Sequence, residues 1–528
     1  MDWNLSRLFE AVAAVVPHRE AVLCGSRRLT YGQLDERSNR LAHHLRAAGL
    51  GPGDHIAVAL YNSSEYLETM LAAFKLRAVP INVNYRYLPA ELRYLLDDAD
   101  ARAIVHEPDL AEVIATLETD LPLLRHSLAR GHAYEDALVR ASGEPAGNPD
   151  RSSDDRYVLY TGGTTGTPKG VTWRHEDIFF AALGGSREIA TRDRTPDLAQ
   201  LTERAKKGRA RILPACPFIH GTAHWMALTT LFGGGTVVVA PDRRYDPVRL
   251  LTLVEAESVR HLVIVGDAFA RPLADALQAE PDRWQLDSLS VIISGGAILS
   301  PVLKERLTTL LPSTIVVDGY GTSETGGQGS MVTAAGASAD RPRFRVNAET
   351  AVLDESYRPV TPGSGEVGRL ARRGHIPLGY YKDPEKTAAT FPIVDGVRWA
   401  VPGDLGQVDA DGTIILHGRG SVSINTGGEK VYPEEVEAVL KSHPSVFDAI
   451  VVGVPNERWG EKVVAVVELS DEAAPTEAVA GHCRARLAGY KVPRAFVVVD
   501  HVQRSPAGKP DYRWARDVAT GQTPNLRQ

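Results

Sequence analysis

The sequence predicts an α/β fold, with a large N-terminal domain of parallel-rich sheets and flanking helices followed by a small, mobile α+β C-terminal domain. Three observations support this prediction. Short apolar runs alternate with segments of helical length, which is typical of parallel sheets covered by helices on both faces. At 528 residues the chain is too long for one hydrophobic core. Near Gly418 the alternation gives way to polar, glycine-rich sequence.

The alternating pattern predicts the elements of the large domain in order. They are strands at 55–60, 78–83, 157–160, 262–265 and 290–294, and helices at 64–77, 271–279 and 301–311. The charged stretch 191–211 shows no period and predicts an irregular excursion, and 521–528 predicts a frayed tail. Parallel sheets bind ligands beyond the carboxyl ends of their strands, so the loop after Tyr160 is a candidate binding loop.

The change of composition predicts a domain boundary at about Gly420, which gives domains of residues 1–420 and 421–528. Beyond the boundary, Pro433 suits the first turn of a helix, and the acidic residues that follow it suit the positive end of the helix dipole. Two strands are then predicted at 449–454 and 462–469. The C-terminal domain is therefore expected to form a separate unit.

The composition limits the class of protein. A net charge of −7 argues against nucleic-acid binding. The cysteines Cys24, Cys216 and Cys483 lie far apart, which favours a reducing compartment without disulfides. The N-terminus lacks the pattern of a signal peptide, and the most apolar segment, 228–240, is too short to span a bilayer. We therefore expect a cytoplasmic protein without integral membrane association.

The run YTGGTTGTPKG at 160–170 has the composition of a polyphosphate cradle. Glycines let backbone N–H groups converge on an anion, and hydroxyls and a lysine add further donors. The run differs from a Walker A loop because Pro168 stands where that motif has glycine, and Gly170 where it has a hydroxyl. The predicted phosphate-binding residues are Thr161, Gly163, Thr164, Thr165 and Lys169.

This run closely resembles the signature of the acyl-adenylate-forming (ANL) superfamily, which includes acyl-CoA synthetases, peptide-synthetase adenylation domains and luciferases. Gly162 replaces the serine of that signature. Five further segments match in chain order, and the resemblance extends from about Thr30 to about Lys509. It implies ATP, Mg²⁺ and coenzyme A as cofactors and a carboxylic acid as substrate.

Two of the matching segments imply the walls of the acyl and adenine pockets. PFIHG at 217–221 resembles the motif whose histidine, here His220, borders the acyl pocket and moves when coenzyme A arrives. SGGAI at 294–298 places Gly295, Gly296 and Ala297 where missing side chains leave room for adenine and the acyl group.

A third matching segment, DGYGTSET at 318–325, resembles the Tyr-Gly-x-Thr-Glu motif of the superfamily. The resemblance implies that Tyr320 and Gly321 contact adenine, and that Ser323 takes the place of the phosphate-contacting threonine. Glu324 is the predicted metal ligand, since Mg²⁺ prefers oxygen ligands and bridges substrate phosphates.

The last two matching segments imply contacts to ribose and to the reacting groups. PGDL at 402–405 places Asp404 on the ribose hydroxyls, and Arg419 adds a second contact to ribose or phosphate. RSPAGK at 504–509 resembles the C-terminal element whose lysine, here Lys509, touches the carboxylate and the α-phosphate. Catalytic roles are thus predicted for Lys509, Glu324 and His220.

In the superfamily the C-terminal domain rotates after adenylation and withdraws this lysine. The resemblance then implies that Gly427, Gly428 and Lys430 come to lie beside a pantetheine tunnel. At the hinge this chain departs from the family, with Ser421 and Val422 in place of the usual charged residues.

The leading functional prediction is an acyl-CoA ligase that adenylates a carboxylic acid and transfers it to coenzyme A. Residues 418–428 resemble a subgroup acting on steroid and other polycyclic acids, including diterpenoid ones, which implies a large apolar substrate. One alternative runs a single half-reaction, either thioester formation from an adenylate made elsewhere or adenylation for a carrier protein or an amine. A second alternative is a non-catalytic nucleotide-binding protein. The oligomeric state stays open, with a dimer among the alternatives.

Overall fold

The computed structural model describes residues 2–147, 150–162, 168–186, 195, 197–336, 343–426, 429–456, 459–470, 475–505 and 508–522. Their helices are α1 Leu5–Val15, α2 Tyr31–Ala47, α3 Ser64–Leu76, α4 Pro89–Asp98, α5 Ala111–Asp120, α6 His132–Arg140, α7 His175–Ala182, α8 Leu198–Lys207, α9 Gly221–Phe232, α10 Pro247–Ala256, α11 Gly266–Ala279, α12 Pro301–Leu310, α13 Pro384–Thr390, α14 Pro433–Lys441, α15 Thr476–Arg484 and α16 Tyr512–Ala519.

Most strands belong to two large sheets. These strands are β1 Glu20–Cys24, β2 Arg27–Thr30, β3 His55–Ala59, β4 Val79–Asn82, β5 Ala101–His106, β6 His126–Ala129, β7 Arg156–Gly162, β8 Pro168–Arg174, β9 Arg211–Pro214, β10 Thr236–Val239, β11 His261–Ile264, β12 Val291–Gly295, β13 Ile315–Thr322, β14 Gly326–Thr333, β15 Arg343–Val346, β16 Thr350–Leu353, β17 Val367–Arg372, β18 Gly379–Tyr380, β19 Ile393–Val394, β20 Val397–Arg398, β21 Asp404–Val408 and β22 Ile414–Arg419. Of these, β19 and β20 pair only with each other.

The first large sheet has the strand order β16-β17-β21-β22-β15-β14-β13-β12-β11-β9-β10-β1-β2, and the second has the order β18-β8-β7-β4-β3-β5-β6. In the first sheet the pairs from β1 through β10, β9, β11 and β12 to β13 are parallel. Antiparallel pairs add β2 at one edge and β14, β15, β22, β21, β17 and β16 at the other. In the second sheet β3 to β7 are parallel, whereas β8 and β18 are antiparallel additions. The predicted parallel sheets are therefore present, each with an antiparallel extension.

One hydrophobic core joins these two sheets. Large side chains that are almost fully buried, such as Trp173, Phe179 and Phe232, belong to this core together with the strands of both sheets. Because helices cover the parallel strands, residues such as Ile56, Val263 and Ile292 are wholly enclosed. This rigid support places the carboxyl ends of β7, β12 and β13 in fixed positions.

A third, five-stranded sheet follows in the sequence. It contains β23 Ile424–Thr426, β24 Glu429–Val431, β25 Val446–Asn456, β26 Gly460–Leu469 and β27 Ala495–Val499. Its helices α14 and α15 bury Val436, Leu440 and Val479 in a core of its own. The first large sheet ends at Arg419, and a 3₁₀ turn at Gly420–Val422 leads into β23. The boundary at Gly420 stays a prediction, and we call residues 421–528 the small unit and residues 1–420 the large unit.

Two predicted elements differ from the structure. The stretch 191–211 was predicted to be irregular, but its described part contains helix α8, which Asp197 caps by accepting a hydrogen bond from the Gln200 N–H at 2.8 Å. The helix predicted at 271–279 begins five residues earlier at Gly266, with Pro272 inside it. Residues 523–528 of the predicted tail lie outside the described residues.

Candidate active site

The predicted phosphate cradle lies at the tip of the β7–β8 hairpin. Thr161 and Lys169 are opposite each other in the antiparallel register, whereas Gly163, Thr164 and Thr165 lie outside the described residues. The Lys169 ammonium forms an ion pair with Asp383, and this pair lowers the pKa of the Asp383 carboxyl. Asp383 also caps α13 by accepting a hydrogen bond from the Lys386 N–H at 2.9 Å. The cap fixes Asp383, so the ion pair orients Lys169 at the tip.

Glu324 contacts the same short segment that holds Asp383. Its Oε1 accepts a hydrogen bond from the Tyr380 hydroxyl at 2.8 Å, and Tyr380 is three residues before Asp383. The indole N–H of Trp173, on β8, donates to the Ser323 carbonyl at 3.1 Å. The structure thus brings the cradle lysine, the predicted metal ligand and the predicted phosphate-contacting serine into one neighbourhood.

The predicted nucleoside contacts are also neighbours. The Tyr320 hydroxyl donates to Asp404 Oδ2 at 3.0 Å, and the Asp404 side chain is buried. Asp404 and Arg419 are paired in the register of β21 and β22, although the Arg419 side chain is not among the described ones. Gly321 is enclosed in the β13–β14 turn, where a side chain would lie 2.1 Å from the Gly326 carbonyl oxygen.

The glycines at the end of β12 form another wall of this site. Gly295 pairs with Gly319 in the parallel register of β12 and β13, next to Tyr320. Gly296 has φ +88°, which favours glycine, and a side chain there would lie 3.1 Å from Thr222 Oγ1. Ala297 follows and packs on the main core. A larger residue at Gly296 would fill the space between β12 and the start of α9.

His220 stands at the N-cap of α9, two residues before Thr222. Asn82 fixes the chain just before it, because its amide N–H donates to both the Tyr160 and the Ile219 carbonyls, at 2.8 and 2.7 Å. Burial, together with the positive charge of Lys509, lowers the pKa of His220 to about 3. His220 is therefore a neutral imidazole at physiological pH.

A buried chain of hydrogen bonds lies behind His220. The Trp225 indole N–H donates to the Tyr157 hydroxyl at 2.8 Å, and that hydroxyl bonds to His224 Nε2. His224 Nδ1 bonds to the Phe218 carbonyl at 2.6 Å. Since a carbonyl only accepts, His224 carries its proton on Nδ1 and accepts from Tyr157. The sequence analysis assigned no role to Tyr157 or His224, and no local motif connects two residues 67 positions apart.

Lys509 belongs to the small unit, and the loop that carries it meets the large unit beside Gly296. A side chain at Gly296 would lie 3.8 Å from Val265 Cγ1, and Val265 also contacts this loop. The preceding Gly508, with φ +71°, packs so closely on the large unit that a side chain would lie 3.1 Å from Ala268 Cβ and 3.2 Å from the Val265 carbonyl oxygen. The structure therefore has the loop that carries Lys509 docked on the large unit.

The remaining predicted residues of the small unit are Gly427, Gly428 and Lys430. Gly427 and Gly428 lie outside the described residues, and Lys430 is a residue of β24 whose side chain is not described. Their predicted contacts to coenzyme A stay predictions.

A groove opens beside the 215–218 segment and was not predicted from the sequence. Its lining includes Tyr61, Tyr85, Arg86, Arg243 and Arg244 together with Asp242 and Asp246. The Arg243 guanidinium lies 4.8 Å from the centroid of the Tyr61 ring, and the Arg86 guanidinium lies 5.8 Å from that of the Tyr85 ring. Pro217 also lines the groove, and its carbonyl accepts a hydrogen bond from the His220 N–H at 3.1 Å, so the groove borders the predicted acyl pocket. Aromatic rings beside guanidinium groups suit a nucleotide with phosphates.

This geometry agrees with the family to which the chain belongs. Residues 9–381 match the AMP-binding enzyme family, and residues 435–509 match the AMP-binding enzyme C-terminal domain. The chain is therefore a member of the AMP-binding enzyme family. Within that family it is an acyl-CoA ligase, an AMP-forming enzyme, as its relatives are.

The chain resembles its relatives over nearly its whole length. It is 45% identical over 536 residues to the 3-oxocholest-4-en-26-oate–CoA ligase of Rhodococcus rhodochrous, an alignment that covers 98% of this chain and 96% of the relative. It is 46% identical over 531 residues to the medium/long-chain-fatty-acid–CoA/3-oxocholest-4-en-26-oate–CoA ligase of Mycobacterium tuberculosis, with 97% and 96% covered. The crystal structure of ATP-bound MatB from Rhodopseudomonas palustris superposes with a TM-score of 0.84 at 27% identity and covers 99% of this chain and 100% of that one.

None of the helices in the described part of the chain combines the length and the apolar character that a membrane crossing requires.

Proposed function

We propose that this protein activates a large apolar carboxylic acid of the steroid type as an acyl-adenylate and transfers the acyl group to coenzyme A. The observation that carries the proposal is that Gly508, next to Lys509, packs on Val265 and Ala268 beside Gly296, on the unit that also holds Lys169 and Glu324. The acid class is supported by relatives at 45% and 46% identity that are named for 3-oxocholest-4-en-26-oate.

In the first half-reaction a carboxylate oxygen attacks the equally anionic α-phosphate of ATP and displaces pyrophosphate. This step needs alignment and positive charge at the reacting groups, not a nucleophilic side chain. Lys169 at the tip of the hairpin would hold the β- and γ-phosphates, and Lys509 would bridge the carboxylate and the α-phosphate. Asp404, held by the Tyr320 hydroxyl, would fix the ribose.

Glu324 suits a Mg²⁺ ion that arrives with ATP. Mg²⁺ is commonly bound by one or two carboxylates together with substrate phosphates and water. The described residues contain no group of three metal-ligating side chains, so a single carboxylate that shares the ion with the nucleotide is the arrangement that fits. The ion would offset phosphate charge, while the Tyr380 hydroxyl keeps the Glu324 carboxylate in place.

The neutral state of His220 suits a wall of an apolar pocket. A cationic imidazole would pair with the substrate carboxylate and compete with Lys509, whereas a neutral one leaves the charge of that lysine available. His220 is thus proposed to border the acyl group and to act as neither acid nor base.

For the second half-reaction we propose that the nucleotide part of coenzyme A lies in the groove beside residues 215–218. Arg86, Arg243 and Arg244 would meet its phosphates, and Tyr61 and Tyr85 offer ring faces to its adenine.

The free cysteines, of which Cys216 and Cys483 are buried, fit a reducing cytoplasm.

The acid class is tested by thioester formation with a panel of acids at equal concentration. The panel contains 3-oxocholest-4-en-26-oate, a diterpenoid acid, a C16 fatty acid, ferulate and acetate. We expect kcat/KM to be highest for the polycyclic acids. A fatty acid or ferulate preferred at least tenfold over both polycyclic acids would refute the proposed class, since tenfold corresponds to about 1.4 kcal/mol of discrimination.

The same assays distinguish the two alternatives. An enzyme that runs one half-reaction would show ATP–pyrophosphate exchange without thioester, or thioester formation from a synthetic adenylate without exchange. Ser421 and Val422 at the predicted hinge motivate this alternative. A nucleotide-binding protein without catalysis would bind ATP tightly and turn over no acid, which the joint presence of Lys169, Glu324 and Lys509 argues against.

A further inference from the structure

A buried ion pair joins the two units away from the substrate groups. The Lys441 ammonium, at the end of α14, lies 2.8 Å from Asp267 Oδ2, at the start of α11. Both side chains are enclosed, with exposed fractions of 6% for Lys441 and 7% for Asp267. The family resemblance assigned no role to either residue.

Each partner also has a neighbour on its own unit. Asp267 Oδ1 accepts a hydrogen bond from the Ser300 N–H at 2.7 Å, and Arg271 follows one turn later on α11. Lys441 has Glu437 one turn earlier on α14, a Glu-to-Lys spacing of four residues that stabilises helices. When the two units separate, Asp267 therefore still has Arg271 and the Ser300 N–H nearby, and Lys441 still has Glu437.

Further contacts connect the Asp267–Lys441 ion pair to the loop that carries Lys509. Arg504 donates from Nε and Nη2 to the Asp448 carboxylate, at 2.6 and 2.7 Å, and from Nη1 to the Gly508 carbonyl at 3.0 Å. Gly508 in turn packs on Ala268, the residue after Asp267. The first turn of α11 is thus the surface against which both Lys441 and the loop of Lys509 are set.

A second contact crosses the interface one turn further along α11. The Arg271 guanidinium lies 5.0 Å from the centroid of the Phe447 ring, next to Asp448. The four residues Asp267, Arg271, Lys441 and Phe447, which we call the latch, therefore fix the small unit at two points on one side of the Lys509 loop.

We propose that Asp267 and Lys441 are positioning residues that hold the small unit in the adenylating arrangement, and that their separation accompanies the change to thioester formation. This inference rests on the proposed function, in which Lys509 serves only the first half-reaction.

A charged pair suits a contact that has to open in every catalytic cycle. Buried ion pairs add little net stability because the attraction only offsets the cost of removing both charges from water. On opening, both charges regain water and their neighbours on the same unit. Removal of one partner has a much larger effect, because it leaves the other charge buried and unpaired in the docked arrangement alone. Single substitutions are therefore expected to shift the equilibrium away from docking.

The test measures both half-reactions separately in the full-length enzyme. Adenylation is followed by ATP–pyrophosphate exchange, and thioester formation is followed from a synthetic acyl-adenylate and coenzyme A. We expect Asp267→Asn and Lys441→Met each to lower the rate constant of adenylation by about 100-fold, with KM for ATP within about twofold and thioester formation within about twofold of the parent. The double variant is expected to recover at least tenfold of the loss, since it leaves no unpaired charge.

The matched control is Lys491→Met, which removes the lysine of an ion pair within the small unit, between Lys491 Nζ and Glu435 Oε2 at 2.7 Å. It is expected to change the two half-reactions by equal factors. The proposed positioning role would be overturned by equal losses in both half-reactions for Lys441→Met. It would also be overturned if the double variant adenylated no faster than the single variants. Thermal unfolding of each variant identifies a loss that comes from a folding defect.

Lys509→Ala in the same assays distinguishes failure of the latch from failure of the proposed function. If Lys509→Ala impairs adenylation alone and Lys441→Met impairs neither half-reaction, the proposed role of the latch is wrong and the proposed function stands. If Lys509→Ala lowers both half-reactions equally, the division of labour under the proposed function is wrong, and the latch falls with it.

Discussion

The wall behind His220 and the interface between the two units are built from different kinds of groups. Behind His220, the buried Tyr157 and His224 and the partly buried Trp225 form a chain of neutral hydrogen bonds. At the interface, Asp267 and Lys441 form an ion pair. The first region lies within one hydrophobic core, whereas the second joins two parts of the chain that each have their own core.

The difference follows from what each region has to do. Neutral hydrogen bonds lose little on burial when every donor and acceptor is paired, so they stabilise a wall that keeps one shape. Charges gain hydration whenever an interface opens, so an ion pair can hold two surfaces together without a large barrier to separation. We infer that the acyl pocket is fixed and that the catalytic lysine is the part that moves.

Lys509→Ala has the largest expected effect on this comparison, because it removes the moving charge itself. We expect adenylation to fall about 100- to 1000-fold, the cost of removing one group that stabilises developing charge. Thioester formation from a synthetic adenylate is expected to stay within about twofold, since a thiolate attacking a neutral carbonyl does not need this lysine. Separate assays of the two half-reactions measure both effects.

The control for that experiment is Lys462→Ala, which removes a lysine from β26 of the same unit. It is expected to leave both half-reactions at the parent rates. Equal losses in both half-reactions of Lys509→Ala would show that the lysine supports the fold or both steps.

Glu324→Gln is expected to have the next largest effect, and it tests the fixed side of the site. The amide keeps the shape and can still accept the hydrogen bond from the Tyr380 hydroxyl, but it lacks the anionic ligand. We expect activity at limiting Mg²⁺ to fall about 10- to 100-fold, the range seen when groups that support a metal site are altered. Titration of the adenylation rate with Mg²⁺ measures the shift.

A partial recovery at high Mg²⁺ is part of this expectation, because the substrate phosphates still bind the ion. Glu355→Gln, a change at an exposed carboxylate, is the control. An unchanged Mg²⁺ dependence in Glu324→Gln would remove Glu324 from the metal site.

Much of the fold could be predicted because the parallel strands are continuous apolar runs. The strand predicted at 55–60 and the helix predicted at 64–77 match β3 and α3 to within a residue. Helix α8 was missed because charged residues surround its few apolar ones, although Leu201 and Ala205 have helical spacing and are buried, and Asp197 is a typical cap. Helix α11 starts earlier than predicted because Phe269 and Ala270, before Pro272, are buried and continue the apolar face formed by Leu273 and Leu277.

The candidate site likewise contains residues that the sequence could identify and residues that it could not. Tyr320, Glu324 and Asp404 belong to local motifs, and local motifs can be recognised in one sequence. The hydrogen bonds that orient them come from residues distant in the chain, such as Tyr380 and Asp383. Such pairs exist only after the sheets have assembled, and neither partner has a distinctive neighbourhood in the sequence.

Tyr157→Phe weakens the neutral wall and leaves the charged interface intact. Loss of the Tyr157 hydroxyl would leave the Trp225 indole N–H and the buried His224 Nε2 without their partner. We expect this to cost about 1–3 kcal/mol in the free energy of unfolding. Chemical denaturation of the variant measures this loss. The ratio of the two half-reaction rates is expected to stay at the parent value, because the docking of the small unit does not involve Tyr157.

Tyr94→Phe is the matched control, since its ring is partly exposed and its hydroxyl is 3.5 Å from the Pro168 carbonyl oxygen. It is expected to change the free energy of unfolding by less than about 0.5 kcal/mol. A changed ratio of half-reaction rates in Tyr157→Phe would contradict the separation between a fixed wall and a moving interface.

The last expected effect comes from pH and tests whether the wall depends on a neutral histidine. Burial lowers the pKa of His224 to about 4, below its usual value of about 6.5. Between these values the unfolded chain binds a proton that the folded chain does not bind, so stability is complete above pH 6.5 and falls as the pH falls. We expect His224 to account for about 1.4 kcal/mol of lost free energy of unfolding per pH unit in that window.

The effect of this one histidine is isolated by comparing the pH dependence of unfolding in the parent and in His224→Asn between pH 7.5 and 4.5. The variant is expected to be less stable at neutral pH, but its free energy of unfolding should fall less steeply as the pH falls. The difference in slope should correspond to about one bound proton, because the variant lacks the group that must stay neutral. His501→Asn, which removes an exposed histidine of the small unit, controls for the loss of one titrating residue. If the parent and His224→Asn lost stability with the same slope, His224 would be protonated in the folded chain. The wall would then contain a charge, as the interface does, and the contrast between the two regions would not hold.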